Sequence, residues 1–165
     1  MPTIKEQIDR DLKTALLGGD KPKAEVLRGL KSVVLYAEVA AGTRDSGGLE
    51  DDAIIVLFAK ESKKRQESAD LYISGGSQEK ADKELSEKAI IDGYLPKQLG
   101  EAELQQLVAS VAGDIGATGP QQMGQLIGAV KARAGAAADG ATVARLAKAH
   151  LAASNAGNVD AGGGQ

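Results

Sequence analysis

The chain contains no cysteine and only one histidine, His150, among its 165 residues. The absence of cysteine excludes disulfide bonds, thiolate metal sites and cysteine nucleophiles. A single histidine argues against a histidine-based metal centre and against a Ser-His-Asp triad. Neither a P-loop nor a G-x-S-x-G segment occurs. The sequence therefore predicts no catalytic residue, no metal site and no cofactor.

Aromatic residues are also scarce, at 2% of the chain, and no apolar run is long enough to cross a bilayer. A core of aliphatic side chains and alanine, with so few aromatic rings, favours closely packed helices. The first ten residues show no signal-peptide pattern, so we expect a cytoplasmic protein without membrane contact. Because the net charge is −3, any RNA contact needs a local basic patch, and DNA is not an expected partner.

Apolar residues recur at helical spacing along most of the chain, whereas the alternating pattern of a β-strand is missing. Ile4, Ile8 and Leu12 repeat every four residues, and Thr3 with Glu6 has the spacing of a capping box. Three further residues are predicted to cap helices: Asp20, Ser77 and Asp139. The sequence therefore predicts an all-α protein.

A Tyr-Leu-Pro segment, residues 94–96, is the predicted domain boundary. Pro96 disfavours helical geometry at Leu95, and Gly93 lets the preceding helix end. We expect an N-terminal bundle of about four helices over residues 1–93 and a smaller three-helix bundle over residues 97–151. The Gly-rich stretch 152–165 predicts a flexible tail.

The densest basic run of the chain is Lys60, Lys63, Lys64 and Arg65. The three lysines share one face of a predicted helix, and Arg65 lies to the side. Several phosphate contacts from such a face would add a salt-dependent attraction to RNA. Because glutamates are interleaved with the lysines, a solvated face with intrahelical ion pairs is the alternative interpretation.

A second group of cations lies near the C-terminus: Lys131, Arg133, Arg145 and Lys148. The first two lie in the last turn of a predicted helix, where they also offset the negative end of the helix dipole. Beyond Pro96, five basic residues balance five acidic ones. Any RNA contact there is expected to be modest and sensitive to salt.

Three glycines in the same region carry a further prediction. Gly124 and Gly128 lie four apart in a predicted helix, where each costs about 1 kcal/mol relative to alanine. They let either another helix or an RNA backbone approach closely. Gly140, which follows Asp139 in a turn, could likewise present the start of the last helix to a phosphate.

The order of segments resembles the GatB/YqeY family over about residues 4–151. The resemblance is carried by four stretches: KESKKRQESADLYISGG, YLPKQLGEAEL, MGQLIGAVKARAG and ADGATVARLAKAHL. In that family the second part is similar to the tail of the amidotransferase B subunit. That tail contacts the body of tRNA, while another domain of the subunit performs the chemistry.

This chain departs from the family pattern at five positions. It has glutamines where the family shows an acid and a lysine, Gln122 and Gln125. It has alanines where lysines are common, Ala137 and Ala141, and it has Gly100 where a capping serine is common. The lost lysines remove positive charge from the surface expected to meet RNA.

The resemblance implies a non-catalytic, tRNA-binding accessory of tRNA-dependent amidation or of a related translation step. The cations of both groups are the expected tRNA contacts. The alternatives are a helical adaptor for a protein partner in translation and, third, a carbon–nitrogen ligase that uses glutamine as amide donor. An adaptor would use exposed apolar residues around Tyr94, Leu95 or Ile73.

Overall fold

The computed structural model describes residues 1–159, and within that range it is helical and contains no β-strand. The predicted all-α class is confirmed. The chain forms two compact units, Met1–Leu95 and Pro96–Gln165. The first unit contains four helices: α1 (Ile4–Leu17), α2 (Lys21–Ala41), α3 (Asp51–Ser74) and α4 (Gln78–Asp92). The second contains three: α5 (Glu101–Ile115), α6 (Met123–Ala134) and α7 (Gly140–Val159).

Side chains just before the helices satisfy amides of the first turn, which have no partner within a helix. Thr3 Oγ1 accepts from the Glu6 amide at 3.2 Å, and Glu6 Oε2 accepts from the Thr3 amide at 2.8 Å. Asp20 accepts from the amide of Lys23 at 3.1 Å. These contacts confirm the predicted capping box of α1 and the predicted cap of α2. Ser77 precedes α4 but its side chain makes no such hydrogen bond, so the predicted cap of α4 is wrong.

The core of the first unit is aliphatic apart from one ring. Its buried members are Ile4, Ile8, Val26, Leu27, Leu30, Val34, Ile54, Phe58 and Ile91. Tyr94 packs edge-on against Phe58, with ring centroids 6.2 Å apart, and its hydroxyl donates to Asp11 at 2.5 Å. Burial, together with the Asp11 carboxylate, raises the pKa of Tyr94. The end of the first unit is thus fixed by packing and by a hydrogen bond.

The core of the second unit contains no aromatic residue. Its buried members are Leu104, Val108, Val111, Ala112, Ala117, Leu126, Val130, Val143, Leu146, Ala147 and Leu151. The Leu99 amide donates to the carbonyl of Ala137 at 2.8 Å, which ties the segment before α5 to the α6–α7 connection. Small aliphatic side chains let the three helices pack closely.

The last helix is longer than predicted. The sequence predicts that it ends at Leu151, but α7 continues to Val159. The stretch that the sequence predicts as a flexible tail is therefore helical over residues 152–159. Alanine has the highest helix propensity, and no proline interrupts this stretch, so the helix continues beyond its apolar face. Residues 160–165 lie outside the described part of the chain.

A buried carboxylate holds the connection between α2 and α3. Glu38 is 8% exposed, forms an ion pair with Lys5 of α1, and accepts from the Leu49 amide at 2.9 Å. The hydrogen bond from Lys5, and then that from the Leu49 amide, lower the pKa of Glu38. No local sequence pattern indicates this role, because the partners of Glu38 are 33 and 11 positions away.

This carboxylate predicts a pH dependence. A lowered pKa in the folded state contributes stability that is complete above the ordinary glutamate pKa, about 4.3. That stability is lost as the pH falls from there through the lower pKa of folded Glu38. We expect the urea midpoint of the wild type to fall more steeply over this acid range than that of Glu38→Gln. Parallel pH profiles for the two proteins would contradict the role of the charge.

Candidate nucleic-acid interface

The first group of cations lies on α3, and two of its four members form ion pairs within the first unit. Arg65 Nη1 lies 3.0 Å from Glu87 Oε2 and 3.4 Å from Glu84 Oε2, both on α4. Lys64 pairs with Glu61, one turn away, at 2.7 Å. Arg65 therefore joins two helices, and Lys64 has the intrahelical pair expected of a solvated face. The remaining two, Lys60 and Lys63, are exposed and have no ion-pair partner within residues 1–159.

The two arginines of the second group pair with opposite ends of α5. Arg133 Nη2 lies 2.6 Å from Asp114 Oδ2, and Arg145 Nη2 lies 2.9 Å from Glu101 Oε2. At 1.5 Å per residue, the two carboxylate residues are about 20 Å apart along the helix axis. The structure therefore does not gather the second group into a single cluster. Both pairs are about half-exposed.

The two lysines of this group are exposed and have no ion-pair partner in the described chain. Lys148 lies three residues after Arg145 on α7, so their side chains share a face. The Nζ of Lys131 reaches the start of α7, where a Cβ added at Gly140 would lie 3.4 Å from it. Lys131 and Lys148 are thus free to contact a ligand.

Two glycines lie on the outer face of α6, and no other part of the described chain packs against them. Gly124 and Gly128 are exposed, and a Cβ added at either would meet no atom within 4 Å among the described residues. Lys131 lies seven residues after the first and three after the second, on the same face. Leu126 and Val130 point to the opposite, buried side. Neither glycine therefore lies against another helix within the described residues.

The start of α7 is already capped. Asp139 Oδ2 accepts from the amide of Thr142 at 2.9 Å and from its hydroxyl at 2.8 Å. This contact confirms the predicted cap. A carboxylate at the helix start disfavours a phosphate in the same place, so the phosphate interpretation of the turn at Gly140 loses support.

Gln122, which stands where the family pattern has an acid, holds a loop in place. Gln122 Oε1 accepts from the amides of Thr118 and Gly119 at 2.7 and 3.3 Å, and its Nε2 donates to the Gly116 carbonyl at 3.2 Å. Gln122 thus closes the connection between α5 and α6. The Pro-Gln-Gln sequence before α6 was a signal for such a turn, because a polar side chain there meets free amides.

The apolar residues expected of an adaptor divide between core and surface. Tyr94 and Leu95 pack against the core of the first unit, whereas Ile73 is 49% exposed. A larger exposed apolar set lies on α2, at Leu35, Tyr36 and Val39. Leu35 also lines a groove of about 300 Å³ between α1 and α2, together with other apolar and several charged side chains.

Residues 1–159 contain no group of three or more His, Cys, Asp or Glu side chains placed to hold a metal ion. Within the same range, no helix combines the length and the apolar character needed to cross a membrane. Asp51, one of two adjacent acids at the start of α3, accepts from the Ile4 amide at 3.0 Å. His150 is half-buried in α7.

A comparison with models of protein families matches most of the chain. The family described as Yqey-like protein matches residues 5–151, which is most of the chain and includes all or part of every helix described above. A search of curated proteins finds no significant match. The chain therefore belongs to the YqeY-like protein family.

Proposed function

We propose that this protein is a non-catalytic, tRNA-binding accessory of tRNA-dependent amidation or of a related translation step. Two arguments support the proposal. The second unit resembles the tail that contacts tRNA in the amidotransferase B subunit. The exposed glycine face of α6 is the structural observation that carries it.

The glycine face is formed by Gly124 and Gly128 and ends at Lys131. Each glycine costs the helix about 1 kcal/mol relative to alanine. Within residues 1–159 nothing packs on either glycine, so the fold itself gains nothing from the missing methyl groups. A ligand that approaches the helix backbone closely would gain from them. Since Lys131 lies on the same face, a phosphate backbone fits this surface.

The neighbouring arginines can join such a contact at low cost. The pairs Arg133–Asp114 and Arg145–Glu101 are solvent-exposed, and exposed pairs contribute only about 0–1 kcal/mol. A phosphate can therefore replace the carboxylate as the partner of either guanidinium. Because charges balance beyond Pro96, we expect a dissociation constant in roughly the micromolar range and a strong dependence on salt.

The decisive variant is Gly124→Ala with Gly128→Ala. Alanine has space at both positions and stabilises the helix, so unfolding should require up to about 2 kcal/mol more. The two methyl groups should hold an RNA backbone away from the helix and weaken tRNA binding about tenfold, which corresponds to about 1.4 kcal/mol. Urea unfolding and fluorescence anisotropy with tRNA measure the two effects separately.

The matched control is Gly29→Ala on α2. Gly29 is also exposed, and a Cβ added there also meets nothing within 4 Å. This variant should gain stability and keep its affinity for tRNA. A stabilised Gly124→Ala, Gly128→Ala protein that binds tRNA as tightly as the wild type would refute contact through the glycine face.

A second candidate function, a protein adaptor, is favoured by the apolar surface of α2. Tyr36 is 74% exposed and Val39 is 57% exposed, and with Leu35 they form an exposed apolar surface on one helix. Substituting both with glutamate should abolish capture of a protein partner from nuclease-treated extract and leave tRNA binding intact. If that variant loses tRNA instead, the α2 surface belongs to the RNA interface and the adaptor function is excluded.

A further inference from the structure

The solvent-facing side of α2 changes from small to large residues halfway along the helix. Its first half presents Gly29 and Ser32, and its second half presents Tyr36 and Val39, which are 74% and 57% exposed. Spacings of three and four residues place these positions in one line along the helix, the α2 stripe. A Cβ added at Gly29 would meet no atom within 4 Å among the described residues. The stripe therefore has a low half and a protruding apolar half.

This order of small and large residues complements itself. If two copies of α2 run antiparallel about a point near residue 34, positions whose numbers add up to about 68 lie opposite each other. Val39 of one copy would then lie over Gly29 of the other, and Tyr36 would lie over Ser32. The two-fold axis makes each contact twice. Because spacings of three and four residues pack helices at about 20°, the contact would extend over several turns.

The residues of the stripe can be buried at low cost. The Ser32 hydroxyl already donates to the carbonyl of Arg28 at 3.1 Å, so covering it leaves no unpaired donor. Tyrosine is enriched in the cores of protein interfaces, where its large ring adds contact area. Gly29 and Ser32 leave room for the larger side chains opposite them.

The charges beside the stripe are arranged in the same self-complementary way. Glu25, at the start of α2, and Arg44, just after its end, are both exposed, and neither forms an ion pair within residues 1–159. In the antiparallel arrangement their positions are opposite to within about one residue. Lys21 and Asp45, which are likewise exposed and unpaired in the described chain, lie opposite to within about two residues. Opposite charges would therefore meet at both ends of the contact.

We infer that the protein forms a symmetric dimer through the α2 stripe, with the large half of each copy packed on the small half of the other. Sizes and charges find their complements under the same two-fold rotation, which favours a second copy of this chain over an unrelated protein. With one helix from each copy, the contact area falls at the low end for specific complexes, below about 1,200 Å². We expect a dissociation constant of roughly 10–100 µM, independent of tRNA.

Cross-linking tests the contact on the intact protein. The chain has no cysteine, so a single introduced thiol reacts without background. Ser32→Cys is nearly isosteric, and in the dimer its two thiols would lie within about 10 Å of each other. The matched control is Ser86→Cys on α4, because Ser86 is also exposed and its hydroxyl also donates to a carbonyl four residues earlier. With a bismaleimide of similar length, Ser32→Cys should form covalent dimers at least about tenfold faster than the control.

An exchange of charges tests the register. Glu25→Arg places like charges at both contacts with Arg44, and Arg44→Glu does the same with the opposite sign. Each variant alone should dimerise at least about fivefold more weakly than the wild type at low salt. An equal mixture of the two should associate within about twofold of the wild type, because each contact again joins opposite charges. Sedimentation velocity measures the association.

Three outcomes overturn the inference: wild-type protein that stays monomeric up to about 500 µM, equal cross-linking of the two cysteine variants, and a mixture that associates no better than its components. Tyr36→Glu with Val39→Glu should be monomeric at every concentration while its circular dichroism is unchanged. If this variant dimerises like the wild type, the stripe is not the interface. A monomeric wild type that captures another protein through these two residues assigns the surface to the adaptor function instead.

Discussion

Reversing two charges on α7, with Arg145→Glu and Lys148→Glu, should weaken tRNA binding at least about 30-fold at 0.1 M salt. Each phosphate contact contributes roughly 0.7–0.9 to the slope of log K against log salt, so losing two contacts lowers K by a factor of this size. Both side chains are exposed, so the fold should tolerate the change. Anisotropy titrations with tRNA measure the affinity, and thermal unfolding verifies the fold.

The chain offers a closely matched control for this variant. Arg28 and Lys31 lie three apart on α2, both are exposed, and Lys31 pairs with Asp9 at 2.5 Å. Reversing these two charges removes the same net charge from the protein and should leave most of the affinity. Glu101→Gln should act in the opposite direction, because it releases Arg145 for phosphate. Equal losses in the α2 and α7 variants would mean that overall charge alone governs binding.

Replacing Gly48 with alanine should lower the free energy of unfolding of the first unit by about 3 kcal/mol. Gly48 has a φ of +83°, which strains any residue with a Cβ. The added methyl would also overlap the Lys5 amine and a carboxylate oxygen of Glu38. The substitution thus adds backbone strain and forces the ends of both side chains to shift, which disturbs the contact that holds the α2–α3 connection. Urea unfolding followed by circular dichroism measures the loss.

The neighbouring glycine separates these two contributions. Gly47 has a φ of +106°, but a Cβ there would meet nothing within 4 Å. Gly47→Ala should therefore cost only the strain, about 1–2 kcal/mol. If both variants lose the same stability, the contact between Lys5 and Glu38 contributes nothing to holding this connection.

Local features of this fold could be predicted from the sequence because their partners are close along the chain. The capping box of Thr3 and Glu6 and the cap from Asp139 to Thr142 each span three residues. The end of α7 was not predictable in the same way. Residues 152–159 mix three alanines, which favour a helix, with Gly157 and two asparagines, which do not, so local propensity does not indicate where the helix ends.

The charges of the candidate site show the limit of sequence reasoning. Spacing places Arg65 beside the lysines of α3, but only the packing of α3 on α4 brings it to Glu84 and Glu87. Arg145 finds Glu101 on another helix for the same reason. Such pairs depend on tertiary packing and leave no local pattern.

The glycine face, in contrast, left a signal in the sequence. The apolar residues of α6, among them Leu126 and Val130, lie on the side opposite to Gly124 and Gly128. Helical periodicity alone therefore places the glycines toward solvent. The spacing of the two glycines alone is also compatible with packing against another helix of the chain.

The most direct test is a salt titration of the intact protein with tRNA. If four cations of the second unit contact phosphates, log K should fall linearly with log salt with a slope of about −3. The same slope in the Arg145→Glu, Lys148→Glu protein should be only about half as steep. Failure to bind tRNA even at low salt, or a slope that the two substitutions leave unchanged, would contradict the proposed interface.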